Sequence, residues 1–194
     1  DGEGGGIKVW CSDLIGYPIQ ILPDNLVAGN TASVNGGGIQ IEESKNTYIT
    51  NCTIAGNQAL GTSSVGGGGG LNWGAWSGGT ISNCIFWGNT ALLGTQIYVG
   101  SLSAPASGLL EYSSVQGGAA GIYQTSGSLT WGFGVQWDDP LLVDPSLGDY
   151  HLQSGSPCRD AGSNASPYIP AVDFEGDPRA HPSVADIGAD EIYP

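Results

Sequence analysis

Apolar and polar residues alternate in short runs along the first hundred positions, and the runs recur. Ile7, Ile39, Leu71 and Ile97 form one apolar column. Two positions on, Val9, Ile41, Trp73 and Val99 form another, and between them Lys8, Gln40, Asn72 and Tyr98 make a mostly polar one. Successive side chains of a strand point to opposite faces. The pattern therefore predicts short strands with one buried face and one wet face. A second strand repeats the logic, with Ile49 and Ile81, Cys52 and Cys84, and Ile54 and Phe86 inward. No helical period persists over a useful length.

The recurrence has a fixed step. Gly-rich runs lead into Ile7, Ile39 and Leu71, each 32 residues after the last. Asn51-Cys52-Thr53-Ile54-Ala55-Gly56-Asn57 returns 32 residues later as Asn83-Cys84-Ile85-Phe86-Trp87-Gly88-Asn89. A shorter version, Asp24 to Asn30, precedes them by 27. All three end Gly-Asn-x-Ala, and a degraded fourth turn carries Gln96-Ile97-Tyr98-Val99. Propeller blades need periods of roughly 40–50 residues, and leucine-rich repeats need a regular Leu ladder. A β-helix fits, with one coil per repeat and equivalent residues stacked about 4.8 Å apart. Asn30, Asn57 and Asn89 would then form a ladder at a bend, where Asn tolerates left-handed geometry. Gly clusters would allow close contact between coils.

The motifs GGGI, NCTIAGNQA, GGGGL and NCIFWGNTA resemble the repeat of the pectin-lyase-like, right-handed parallel β-helix proteins of bacterial surfaces. The tail motifs Asp139-Pro140 to Pro145, Gly148 to Leu152, Ser156 to Gly162 and Asp186 to Glu191 resemble the C-terminal segment of one such group. The resemblance implies an all-β solenoid, and members often carry a surface anchor or sorting signal after this segment. Residues 1–137 are expected to form the coils, regular over 1–100 and irregular over 101–137. In the irregular part Leu109, Tyr112, Val115, Ile122 and Leu129 should point inward. Residues 138–194 hold 11 of the 18 carboxylates and eight of the 11 prolines. Proline blocks strand addition, so this segment is expected to be an irregular Pro/Asp-rich cap or wrap packed on the solenoid.

Charge narrows the partners. Four basic residues face 18 acidic ones, for a formal net charge of −14. Such a chain repels nucleic acid and anionic lipid. Charged residues make up only 11% of the chain, low for a cytosolic surface and common where Ser, Thr, Asn and Gly cover an extracellular one. No apolar run is long enough to span a bilayer, so no membrane insertion is expected. The chain has no methionine, so Asp1 is expected to be a processing site or a cut. Its strand would enter in mid-coil, exposing Ile7, Val9, Trp10 and Cys11. That end would be covered by upstream coils of a longer chain or by a second copy stacked head to tail, a contact that generates a filament.

Chemistry is sparse. The family resemblance raises pectate lyase and polygalacturonase activity. Lyases of this fold pair a Ca²⁺-binding carboxylate cluster with a basic residue. Here Arg159 and Arg179 lie in the tail, and Lys8 and Lys45 sit on coils whose carboxylates (Asp13, Asp24, Glu42 and Glu43 among them) are few. The hydrolases need paired Asp with Gly-His-Gly and Arg-x-Lys, and neither triplet occurs; His151 and His181 are in the tail. The expectation is a non-catalytic structural or adhesive protein without a cofactor, and the alternative is a carbohydrate-active or glycan-binding one.

Asp138, Asp139, Asp144 and Asp149 are weak Ca²⁺ candidates, weighed against simple turn-starting roles. Residues 173–177 place carboxylates at alternate positions, which suits a solvated turn better than an EF-hand. Trp10, Trp76, Trp87, Trp131 and Trp137, with Tyr98, are candidates for a sugar platform, whereas Trp73 should be core. Cys52 and Cys84 occupy equivalent places in neighbouring coils, either as a disulfide or as a buried thiol stack. Cys11 and Cys158 could pair if the tail folds back, or could join stacked molecules. Asn51 and Asn164 open N-glycosylation sequons.

Overall fold

The computed structural model of the protein describes residues 4–10, 23–62, 67–102, 104–179 and 184–192, and the backbone of 19–21. Three parallel sheets form a solenoid. The first stacks Ile7–Trp10, Ile39–Glu42, Leu71–Trp73, Ile97–Val99 and Ile122–Gln124 in that order. The second stacks Ile19–Ile21, Thr47–Thr50, Gly78–Ser82, Ser107–Glu111 and Ser128–Trp131. The third stacks Leu26–Ala28, Thr53–Ala55, Ile85–Trp87 and Ser114–Val115. Chain order visits the three sheets in turn, so each circuit is one coil. The register pairs Ile7 with Ile39 and Ile39 with Leu71, steps of 32 residues. Leu71 then pairs with Ile97 and Ile97 with Ile122, steps of 26 and 25. The later coils are shorter, yet the same three sheets continue through the Ser- and Gly-rich stretch after residue 101.

The expected inward columns are the core. Ile39, Ile41, Ile49, Cys52, Ile54, Leu71, Trp73, Ile81, Cys84, Phe86, Ile97 and Val99 have no exposed surface. They join Leu110 and Val115 in one cluster, against which Ile7, Val9 and Ile122 pack. Two residues of the expected set differ: Tyr112, at a left-handed φ of 42°, is half-buried outside the core cluster, and Leu109 gives way to its neighbour. Leu110, not Leu109, enters the core, because Leu110 pairs with Ile81 and Leu109 pairs with the outward Thr80. A shift of one position in a strand moves a side chain to the other face.

The asparagine ladder forms as read from the sequence. Asn30 Nδ2 donates to Asn57 Oδ1 at 3.0 Å, and Asn57 Nδ2 donates to Asn89 Oδ1 at 3.0 Å. Asn89 Nδ2 continues to Gln96 Oε1 at 2.7 Å, and Gln96 Nε2 to Gln116 Oε1 at 3.2 Å. Within the ladder each amide thus finds the partner that burial demands. The glycines before each strand make room for this stack. Gly36 turns the chain at a φ of 62°, and a Cβ on Gly38 would lie 3.0 Å from Asn57 Nδ2. A Cβ on Gly37 would lie 2.4 Å from the carbonyl oxygen of Gly69.

The column expected to be wet is largely covered. Lys8 is exposed, but Gln40, Asn72 and Tyr98 are buried. Asn72 Nδ2 donates to the Gly67 carbonyl at 3.3 Å, and a Cβ on Gly67 would meet the Tyr98 ring at 2.5 Å. Tyr98 also stacks on Tyr123, with ring centroids 5.6 Å apart. Alternation fixes which face of a sheet a residue occupies; it does not say whether a connecting segment lies over that face.

The tail lies along the flank of the third sheet. Leu142–Asp144 and Asp149–Leu152 form an antiparallel pair. Leu142, Leu152, Cys158 and Ile187 cluster on Ile85, which with Trp87 faces outward from its strand. Backbone bonds fix the docking. Gly188 N–H donates to the Asn83 carbonyl at 2.9 Å, Ala189 N–H to Thr53 Oγ1 at 3.0 Å, and Ser163 N–H to Asn83 Oδ1 at 2.9 Å. Asn51 and Asn83 both adopt a left-handed φ of 51° at the bend. Asn51 is fully buried there, with Nδ2 donating to the Asp186 carbonyl, so in the folded protein its sequon is sealed. Asn164 is exposed.

Candidate functional site

The four calcium candidates do not converge. Asp138 and Asp139 are exposed, and Asp139 Oδ1 accepts from Leu141 N–H at 2.9 Å. Asp144 Oδ1 accepts from Ser146 Oγ and Leu147 N–H, capping the short 3₁₀ turn Pro145–Leu147. Asp149 Oδ1 serves His151. The turn role therefore describes Asp139 and Asp144. Residues 173–177 form a turn that is solvated at Phe174, Glu175 and Gly176, with its first carboxylate turned inward. Asp173 is buried, its Oδ1 accepts from the backbone of Glu175, Gly176 and Asp177, and its Oδ2 accepts from Glu191 N–H.

Cys52 and Cys84 are buried thiols that form no disulfide. Cys84 Sγ lies 3.1 Å from the Ser82 carbonyl and Cys52 Sγ 3.3 Å from that of Thr50. Neighbouring strands hold equivalent Cβ atoms about 4.8 Å apart, whereas a disulfide draws them to about 3.8 Å; the stack therefore stays reduced without distortion. Burial raises the Cys84 thiol well above its ordinary value and lifts Cys158 to about 11. Cys158 is also a buried free thiol. Cys11, Asp13 and His181 lie outside the described residues.

The aromatic candidates separate. Trp73 is core as expected, and Tyr98 is buried and unavailable to a ligand. Trp87 is half-buried against the tail. Trp10 is 68% exposed on the outermost strand of the first sheet. Trp76 shares a hollow with Lys45 and Pro105. Trp131 and Trp137 come together, lining a hollow of about 310 Å³ with Gly117, Gly118 and Ala119.

Two ionic centres in the tail were not legible in the spacing. In the first, Arg179 is fully buried between Asp24 of the first coil and Glu191. Its Nε donates to Asp24 Oδ1 at 2.7 Å, its Nη1 to Glu191 Oε2 at 3.3 Å, and its Nη2 to the Ala189 carbonyl at 2.5 Å. In the second, His151 Nδ1 lies 2.6 Å from Asp149 Oδ1 and Nε2 lies 2.9 Å from Glu175 Oε2. Ligand atoms of His151, Glu175 and Asp190 all fall within 4.8 Å of one another. The remaining arginine, Arg159, is 3.6 Å from Asp160 at the surface.

These centres set a pH dependence. Burial pushes Glu191 from its ordinary 4.5 to about 8, and Asp24 from 3.8 to about 6, outweighing the guanidinium beside them. Burial raises Asp186 and Asp190 too, and the Asp149 carboxylate raises His151. A group raised on folding holds more protons folded than unfolded. Its contribution is complete below the unfolded value and is lost as pH rises through the folded one. The window therefore runs from about 4 to about 8, its upper edge set by Glu191. Asp149, lowered by its bond from His151, acts oppositely and only at the acid end, where its contribution is lost as pH falls. The thermal midpoint should fall by several degrees between about pH 5 and about pH 8.5; scanning calorimetry across that range checks it, and a rising midpoint contradicts it.

No helix among the described residues is long and apolar enough to cross a membrane. No curated protein and no solved structure matches the chain. A family model described as a right handed beta helix region matches residues 15–131, more than half of the sequence. That stretch holds most of the three-sheet solenoid, with its stacked Ile, Cys and Asn columns. The architecture hosts enzymes and non-enzymes alike. On repeat, coil geometry and family match together, the chain belongs to the right-handed β-helix family.

Proposed function

We propose that the protein is a non-catalytic structural or adhesive β-helix of the cell exterior, joined to another coil through its strand Ile7–Trp10. The observation that carries this reading is the state of that strand. It is the outermost member of its sheet, with Ile39–Glu42 on one side. Ile7 and Val9 are only half-buried where their counterparts one coil later are fully buried, and Trp10 is 68% exposed. At the other end of the solenoid Ile122–Gln124 and Ser128–Trp131 are outermost, with Tyr123, Trp131 and Phe133 exposed. All coil pairings are parallel, so a second copy added end-on continues the ladder in the same sense. Such head-to-tail contacts propagate. The other occupant of this edge is a run of upstream coils in a longer chain.

The first experiment is sedimentation and electron microscopy of the chain over a wide concentration range, at low and high salt. Association is expected to grow with concentration and with salt, because the charge of −14 makes copies repel until it is screened. Trp10→Lys should weaken it. A chain that stays monomeric at millimolar concentration sinks self-assembly and leaves upstream coils as the partner.

A second reading, glycan binding, draws on the hollow that Trp131 and Trp137 share, since the apolar face of an indole suits the apolar face of a sugar ring. Tryptophan fluorescence titrated with neutral oligosaccharides tests it, and a shift that survives Trp137→Ala counts against it.

A further inference from the structure

We propose that His151, Glu175 and Asp190 form a binding site for a divalent transition-metal ion of the zinc class, which ties three segments of the tail together. The three residues come from the strand Asp149–Leu152, from the turn at 173–177, and from the terminal stretch on the flank of the solenoid. Their ligand atoms lie within 4.8 Å of one another, and His151 Nε2 is 2.9 Å from Glu175 Oε2. A tetrahedral ion with bonds of about 2.0–2.1 Å separates its ligands by about 3.3 Å. No gap in the trio exceeds 4.8 Å, so closure needs at most roughly 1.5 Å of movement, and the half-exposed His151 and Glu175 side chains have room to make it.

Each ligand is aimed by a partner of its own. Asp149 accepts from His151 Nδ1 at 2.6 Å, which orients the ring and presents Nε2 to the other two residues. This is the carboxylate–histidine arrangement that supports metal ligands from behind. Phe174 lies against the imidazole, with ring centroids 5.6 Å apart. Asp190 is 6% exposed and is held through Oδ2 by Leu152 N–H at 2.8 Å. The Glu175 backbone is held by Asp173. Asp190 thus forms a buried floor, and His151 and Glu175, with side chains 40% and 50% exposed, form an open rim where water completes the coordination.

Charge and ligand type point to the class of ion. One imidazole stands among the carboxylates of Asp149, Glu175 and Asp190, with Asp173 close by. The incoming cation takes the Nε2 lone pair, and any proton on that nitrogen leaves to solvent. An imidazole nitrogen favours zinc-class ions over Ca²⁺ or Mg²⁺, which take oxygen ligands.

The test is calorimetric titration of the whole chain, stripped with chelator, with Zn²⁺ alone at neutral pH in a non-coordinating buffer. One ion per chain is expected, together with a raised thermal midpoint and slower amide exchange in residues 149–152 and 173–177. His151→Gln and Glu175→Gln, both at the exposed rim, should weaken binding at least tenfold while the circular dichroism of the solenoid is unchanged. Asp149→Asn should weaken it by about 10–100-fold. Absence of zinc binding by the wild-type chain overturns the assignment. So does an affinity unchanged in His151→Gln, or Ca²⁺ binding more tightly than Zn²⁺.

Discussion

Replacing Arg179 with Ala is expected to detach the tail from the solenoid, at a cost of about 3–5 kcal/mol. Arg179 has no exposed surface, and the two carboxylates it serves, Asp24 and Glu191, are almost as deeply buried. One belongs to the first coil and the other to the tail, so the guanidinium is the bridge between them. Without it both acids remain desolvated and unpaired, and the Ala189 carbonyl loses its donor. Breaking a buried ion pair by deleting one member costs more than the pair itself contributes, because the partner's charge stays buried. Amide exchange is the discriminating measurement. Protection should fall across residues 184–192 and 158–163, while Ile39–Glu42 and Leu71–Trp73 keep theirs. Since Glu191 and Asp24 titrate upward to about 8 and about 6, the penalty should shrink near pH 5, where both hold protons. Changing all three residues together to apolar ones of similar size should recover most of the loss. An Arg179→Ala protein with wild-type exchange in the tail would show that the apolar contacts on Ile85 suffice for docking.

Gly37→Ala should destabilise the solenoid by about 3 kcal/mol, the upper end of ordinary overpacking. The added Cβ would sit 2.4 Å from the carbonyl oxygen of Gly69 and 2.5 Å from the carbonyl carbon of Gln58. Both are backbone atoms of the coil wall, so no side chain can rotate away. Relief requires moving the turn, and the turn is tied to its neighbour by Gly37 N–H to the Gly68 carbonyl at 2.9 Å. In a solenoid each coil leans on the next, so the disturbance should reach the asparagine ladder at Asn57 and Asn89. Gly155→Ala is the matched control, because no atom lies within 4 Å of its added Cβ. It should leave stability unchanged or raise it slightly, by narrowing the unfolded ensemble. Chemical denaturation of the two variants compares them directly, and equal midpoints would mean that the glycine turns are softer than their contacts imply.

The glycine signature is plain in the sequence, but its reasons differ from residue to residue. Gly36 serves a left-handed turn, Gly37 a backbone contact and Gly38 the Asn57 amide. From the sequence the three were simply a cluster that permits close approach. The tail was legible as a change of composition, with its carboxylates and prolines. Its acids turn out to be acceptors for its own backbone: Asp173 for the turn at 173–177, Asp186 for Asp160 and Ile192, and Asp190 for Leu152. A segment with few ladder partners must satisfy its buried N–H groups from side chains, and carboxylates are strong acceptors. Asp138, Asp139, Asp144 and Asp149 are neighbours in sequence, whereas the cluster around His151 gathers residues 24 and 39 positions away from it.

By itself the sequence determined the all-β solenoid, the inward columns from Ile7 to Val99, and the ladder of Asn30, Asn57 and Asn89. A repeat of fixed step places like residues one strand spacing apart, so local alternation is already long-range packing. Only the tertiary structure decided that Gln40, Asn72 and Tyr98 are covered, that Leu110 displaces Leu109, that Arg179 reaches Asp24, and that His151 meets Glu175 and Asp190. Those outcomes depend on where non-repeating segments settle across the surface of the coils. No periodicity encodes that; it follows from shape, and from which buried polar groups find partners.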